Sequence, residues 1–161
     1  MATIRTAAAQ PTLRIRRVIP SASLMSFQGE ALGLLWRAAQ QSSASQVAPV
    51  VVRYWSMEND TVDVEVALPI AELVDLDAGE VVVDALPGGG LMEHRHVGSH
   101  DTLGDAYGDL AAAVGDRATS GPAWEVYEWI PQGVAPDPAS WPSPAEWTTL
   151  LVQPLEPEER R

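Results

Sequence analysis

Val62-Asp63-Val64-Glu65-Val66 alternates apolar and polar residues without interruption, the period of a strand with one buried face. Residues 50–55 form another β-prone run, and Glu58-Asn59-Asp60 between the two is a turn, so they are expected to make a hairpin. Residues 12–19 set Leu13, Ile15 and Val18 among arginines and also read as a strand. After a break at 20–23, residues 24–28 read as a short second strand. The period changes at Gly29: Leu32, Leu35, Trp36 and Ala39 fall at i, i+3, i+4 and i+7, one face of a helix. The chain then repeats itself. Residues 81–86 and 91–97 are strands around the break Pro87-Gly88-Gly89-Gly90. Residues 102–114 form a helix with Leu103, Tyr107, Leu110 and Val114 on one face and Asp101 as its N-cap. Residues 124–130 and 147–152 are strands, separated by a proline-rich loop over 132–144.

The recurrence is visible in the letters, with a period of about 70 residues. Ile19-Pro20, three small residues and Leu24-Met25 match Leu86-Pro87, three small residues and Leu91-Met92. Pro49 with Tyr54 matches Pro122 with Tyr127, and 66–70 matches 151–155. The predicted fold is α+β. A duplicated strand-strand-helix-strand-strand unit with a pseudo-twofold axis forms an antiparallel sheet, with two helices flanking a central ligand groove. Residues 1–10 read as a loose tail and 11–155 as one domain, with repeat one at 11–71 and repeat two at 80–155. Residues 156–161 read as a charged tail.

On the strand at 124–130, Glu125, Tyr127 and Trp129 share one face, while Trp124, Val126 and Glu128 share the other. A carboxylate beside two large rings suits a pocket for something flat or cationic. The duplication places Tyr54 opposite Tyr127, and gives Glu125 the apolar Val52 as its mate. Phe27, Trp36 and Tyr107 lie on or beside the predicted helices and are candidate walls. Glu65, opposite the Val62-Val64-Val66 face, is a candidate second groove carboxylate. The same alternation leaves Trp55, Trp124, Trp141 and Trp147 unassigned between groove and core.

Composition narrows the function. The formal net charge is −12, and all ten basic residues are arginine, without a basic stripe, so nucleic acid is not an expected partner. The chain has no cysteine, which removes disulfides and thiol chemistry. No apolar run reaches the roughly 20 residues of a membrane span, and no signal-peptide pattern opens the chain. A cytoplasmic protein without membrane association, a monomer or weak homodimer, is expected. His94 and His96 share a strand face near Glu93 and Asp101, but a two-histidine pair is not a metal motif. Neither metal nor other cofactor is expected.

The ordered set Leu86-Pro87-Gly88-Gly89, His96-Val97-Gly98, Asp101 to Tyr107, Gly121-Pro122-Ala123-Trp124-Glu125-Val126-Tyr127, Trp147-Thr148 and Gln153-Pro154-Leu155 resembles the GyrI-like small-molecule-binding family, the effector-binding domain of AraC- and MerR-type regulators. The resemblance covers about residues 12–155 and is better in the second half. It implies a two-repeat α+β fold with a groove for lipophilic, often cationic molecules, and places Glu125 in that groove. One branch of the family implies hydrolysis of cyclopropane-bearing DNA-alkylating natural products within an aromatic cage. The chain departs from the family pattern at Gly98-Ser99-His100-Asp101, where Gly-Pro-Tyr-Asp is usual, and in the long loop 131–146 carrying Trp141. Only about ten residues precede the first predicted strand, so a stand-alone protein that sequesters a lipophilic compound is the first expectation. The second is the hydrolase, with Glu125 as base or water-orienting group and Tyr127 or Tyr54 as donor. The third is an acidic inhibitor of a basic protein partner.

Overall fold

The computed structural model describes residues 2–77 and 79–158. It comprises one eight-stranded antiparallel sheet and two helices. The elements in chain order are β1 (Thr3–Ala7), β2 (Gln10–Pro20), α1 (Leu24–Ser42), β3 (Val51–Glu58) and β4 (Thr61–Pro69). There follow β5 (Val82–Leu86), β6 (Gly89–Val97), α2 (Leu103–Val114), β7 (Trp124–Tyr127) and β8 (Thr148–Pro154). The order across the sheet is β1-β6-β8-β7-β3-β4-β2-β5. Exchanging the two halves of the chain leaves this order unchanged, so the duplication is real and its axis runs between β7 and β3.

Two parts of the expected repeat are corrected. Residues 3–7 are an edge strand, not a loose tail: Thr and Ile favour extended backbone, β1 pairs with β6 from Thr3↔Glu93 to Ala7↔Gly89, and Arg5 bonds Glu93. Residues 24–28 are the first turns of α1, not a strand. Phe27, Ala31, Leu35 and Ala38 bury one helical face, a stripe that begins five residues before the one read from the letters. Each half is therefore strand-strand-helix-strand-strand, but its strand pair is β1–β2 or β5–β6. The 3₁₀ turn Ser21–Ser23 before α1 corresponds to His100–Thr102 before α2, so Leu24 is the mate of Leu103 and Gln28 of Tyr107. The match of Ile19-Pro20 to Leu86-Pro87 compares a strand end with a hairpin turn. Asp101 lies within that 3₁₀ turn. The N-cap of α2 is Thr102, without a side-chain bond.

The edge strands are exchanged: β1 of the first half completes the second half's sheet, and β5 of the second pairs with β2 of the first. The two hairpin turns meet near the axis. A Cβ on Gly88 would lie 2.5 Å from the Ala9 nitrogen and 2.7 Å from the Ala7 oxygen, so only glycine permits the contact. Leu86, Leu91, Trp124, Val51, Ala67 and Val152 form a small core on this side of the sheet. On the opposite side α1 packs over Leu13, Ile15, Val64 and Val66, while α2 packs over Met92, Leu151 and Leu155. Between the helices the central strands are left uncovered. Among the described residues, no helix is long and apolar enough to cross a membrane.

Candidate functional site

The gap between α1 and α2 is a cleft of about 910 Å³ floored by β3 and β7. Its centre lies on the pseudo-twofold axis. Val52 and Glu125 are paired across β3 and β7, and they are also repeat mates. Symmetry-related pairs line the two sides: Leu24 and Leu103, Gln28 and Tyr107, Val50 and Ala123, Tyr54 and Tyr127. The chemistry departs from symmetry at Val52/Glu125 and Gln28/Tyr107.

Glu125 is 3% exposed. The Tyr107 hydroxyl donates to its Oε2 at 2.6 Å and the Tyr127 hydroxyl to its Oε1 at 2.9 Å. Gln28 Nε2 lies 3.5 Å from the hydroxyls of both Tyr54 and Tyr127, which adjoin each other. No arginine is among the lining residues. Burial raises the Glu125 pKa, and the two tyrosine bonds offset this only in part. Tyr54, Tyr107 and Tyr127 are likewise pushed up, first by burial and then by the Glu125 charge. All three phenols therefore remain protonated donors.

Next to Tyr127 the wall is rich in aromatic rings. Trp129 stacks on Tyr127 with centroids 5.2 Å apart, and on Trp147 at 4.0 Å and 6°. Trp141 from the long loop meets Trp129 edge-on at 5.2 Å. Trp147 Nε1 donates to the Pro142 carbonyl, and Gly133 N donates to Gln46 Oε1, which ties the loop down. Trp129 Nε1 is buried without a partner among the described residues. His100 packs against Tyr127 and Trp147 at 5.2 and 5.1 Å, and its Nε2 lies 3.1 Å from Thr149 Oγ1. Burial lowers its pKa, His96 adds to the effect and Asp101 opposes it. His100 is thus a neutral ring at neutral pH.

Of the expected site residues, the fold brings Tyr54, Tyr107, Glu125, Tyr127 and Trp129 together in the cleft. Trp141 and Trp147 join them. Glu65 does not: it lies on the other face of the sheet, 1% exposed, held by Arg53 Nη2 at 3.0 and 3.1 Å and by Trp55 Nε1 at 3.2 Å. Since Val66 lines the cleft, strand alternation turns Glu65 away. Trp55 lies on that outer face between the Arg16 and Arg53 guanidiniums, and Trp124 is in the outer core. Phe27 is in the core beneath Arg17, about 100° around the helix from Gln28. Trp36 is half-buried but outside the cleft, about 18 Å along the helix from Leu24.

Gln28, His100 and the exposed methionines Met25 and Met57 at the rim were not legible as site residues. The repeat would have found Gln28, as the mate of Tyr107, had Leu24 been set against Leu103. The three histidines diverge: His94 Nε2 is 3.6 Å from Asp109, and His96 Nε2 contacts Thr102 and Ser99. Among the described residues no cluster of three or more metal-ligating side chains occurs.

No protein-family model matches the chain, and no curated protein matches it in sequence. Solved structures do match. The EcmrR C-terminal domain aligns over 97% of each chain with a TM-score of 0.74 and 19% identity. In an EcmrR–DNA complex the match is 0.76 at 18% identity, and this chain spans 57% of the EcmrR chain there. A hydrolase from Listeria innocua aligns over 96% of this chain and 91% of its own, with a TM-score of 0.65 and 12% identity. SAV2435, solved bound to tetraphenylphosphonium, aligns over 97% and 94%, with 0.62 and 10%. At these identities the likeness is one of fold, and together with the exchanged duplication and the cleft on its axis it identifies the chain's architecture as the GyrI-like fold.

Proposed function

We propose that this protein binds lipophilic, flat or cationic small molecules in the cleft and holds them there, giving sequestration or resistance. One observation carries the reading: a single buried carboxylate, Glu125, lies in a largely apolar cleft with an aromatic wall and is answered by hydroxyls rather than by a cationic side chain. A ligand cation would supply the missing counter-charge, and the faces of Tyr127 and the tryptophans would hold its flat or aryl groups. The volume suits a drug-sized molecule. SAV2435, of the same fold, was solved with tetraphenylphosphonium, which makes that cation the natural probe. Titration is expected to quench tryptophan fluorescence, since Trp129, Trp141 and Trp147 line the cleft. Glu125→Gln is expected to weaken binding about tenfold or more, roughly 1.4 kcal/mol. Absence of quenching and of binding heat at tens of micromolar probe would overturn the reading.

The phenols at 2.6 and 2.9 Å from Glu125 favour a second reading, a hydrolase that adds water to a strained ring held against the aromatic wall. Glu125 would orient or deprotonate water, and Tyr54 or Tyr127 would donate to the oxygen gaining charge. A cyclopropane-bearing substrate recovered with the mass of one added water, and unchanged after incubation with Glu125→Gln, would establish it.

A further inference from the structure

The inference rests on the binding reading and extends it. We propose that a cation enters the cleft in exchange for a proton: Glu125 is a carboxylic acid in the empty cleft and a carboxylate in the loaded one. The balance is simple. The Glu125 O–H bond breaks, its proton passes to solvent buffer, and the electron pair stays on the carboxylate facing the bound cation.

The geometry argues for this from three sides. First, the carboxyl is 3% exposed, and an isolated carboxylate withdrawn from water is costly unless a positive charge faces it. The polar groups around it are Gln28 of α1, Tyr54 of β3, Tyr107 of α2 and Tyr127 of β7, with His100 on the far side of Tyr127, while β8 sets the apolar Leu151 opposite it. None is cationic at neutral pH. Second, the fold contains its own contrast: where a guanidinium was needed, as at Glu65, Arg53 was placed. Third, the network serves both protonation states without moving a heavy atom. Each phenol can donate or accept. With the carboxylate ionised, Tyr107 and Tyr127 donate to it, as the distances allow. With the acid protonated, its O–H donates to Tyr127, and the Tyr127 hydroxyl turns to its neighbour Tyr54. Gln28 supplies an amide donor at that end. A raised carboxyl pKa accords with this arrangement.

A neutral ligand would leave the proton in place, so the exchange distinguishes charged from uncharged guests. The test is calorimetric titration of tetraphenylphosphonium in two buffers of different ionisation enthalpy at one pH, acetate and MES in the mildly acidic range and phosphate and HEPES near neutral. Observed enthalpy is expected to vary with buffer ionisation enthalpy, with a slope approaching one proton released. Affinity should rise roughly tenfold per pH unit until the empty cleft deprotonates. Triphenylphosphine oxide, neutral and of similar size, should show neither effect, and Glu125→Gln should abolish both for the cation. Binding of tetraphenylphosphonium with zero slope at every pH would overturn the exchange while leaving the binding reading intact. No binding at all would overturn both. Independently of any ligand, the empty wild-type protein should show the carbonyl stretch of a protonated carboxylic acid in infrared difference spectra against Glu125→Gln. Its absence at neutral and mildly acidic pH would also overturn the proposal.

Discussion

Two buried glutamates lie on opposite faces of the same sheet, and they are answered differently. Glu65 receives a guanidinium, an indole N–H and a more distant Arg14 at 3.9 Å. Glu125 receives two phenols and faces a cavity. One charge is neutralised within the chain and fastens β3 to β4. On the proposed reading, the other is left for a bound cation to complete. Burial alone therefore does not mark a functional carboxylate. The partner set does, because a paired ion needs nothing further while a hydroxyl-bound one in an apolar cleft retains an unmet demand for positive charge.

Removing the partner of the paired carboxylate should have the largest effect. Arg53→Met leaves Glu65 buried without its guanidinium, and is expected to cost about 3–5 kcal/mol in urea denaturation. Equal loss in Arg53→Met and Glu65→Gln/Arg53→Met would refute the pairing account, since the double change removes the stranded charge. The pH dependence of the unpaired carboxylate is smaller. The folded chain holds the Glu125 proton more tightly than the unfolded chain does. Its contribution to stability is thus fully present below the ordinary glutamate range and is lost as pH rises through the raised folded value. The stability of Glu125→Gln relative to the ligand-free wild type should accordingly rise with pH across that window. A flat difference would mean that folding leaves the Glu125 titration unshifted. The smallest effect is expected from Tyr107→Phe, which removes one donor to Glu125 at about 0.5–1.5 kcal/mol. It should also move the Glu125 transition further upward, because that bond opposes the shift.

The same two residues show what the letters reveal and what they hide. The face shared by Glu125 and Tyr127 was legible because strand alternation is rigid over so short a span, whereas the expected strand over 124–130 ends at Tyr127, and Trp129 joins them from the following turn by stacking on Tyr127. The symmetry partner Tyr54 followed from Pro49 and Pro122, which stand at matching places in both halves. Glu65 was misplaced although its own alternation excluded the groove once the Val64 and Val66 face was turned inward. Its partner was harder to find. Counting back from the turn at Asn59-Asp60 sets Tyr54 opposite Glu65, but a bulge at Trp55 shifts the register so that Arg53 faces it. A one-residue bulge leaves no mark in a strand whose apolar and polar letters do not alternate. The start of α1 was hidden for another reason: Ser23, Ser26 and Gly29 lower helix propensity where burial of Phe27 and Ala31 decides the outcome. The exchange of β1 and β5 is a property of long-range pairing, and no local pattern encodes it.

That exchange has a consequence for how an asymmetric charge can exist here at all. Because each half borrows an edge strand from the other, two separate copies of one half would have to assemble as an interlocked pair. In such a pair every position on the axis would occur twice and face itself. A glutamate there would confront another glutamate directly across the central strands, an arrangement that like-charge repulsion disfavours. A valine there would confront a valine, and the cleft would hold no charge. Joining the halves in one chain lets the two positions differ, so that Glu125 stands against Val52. The covalent link between the repeats is what permits a single carboxylate on an axis of symmetry.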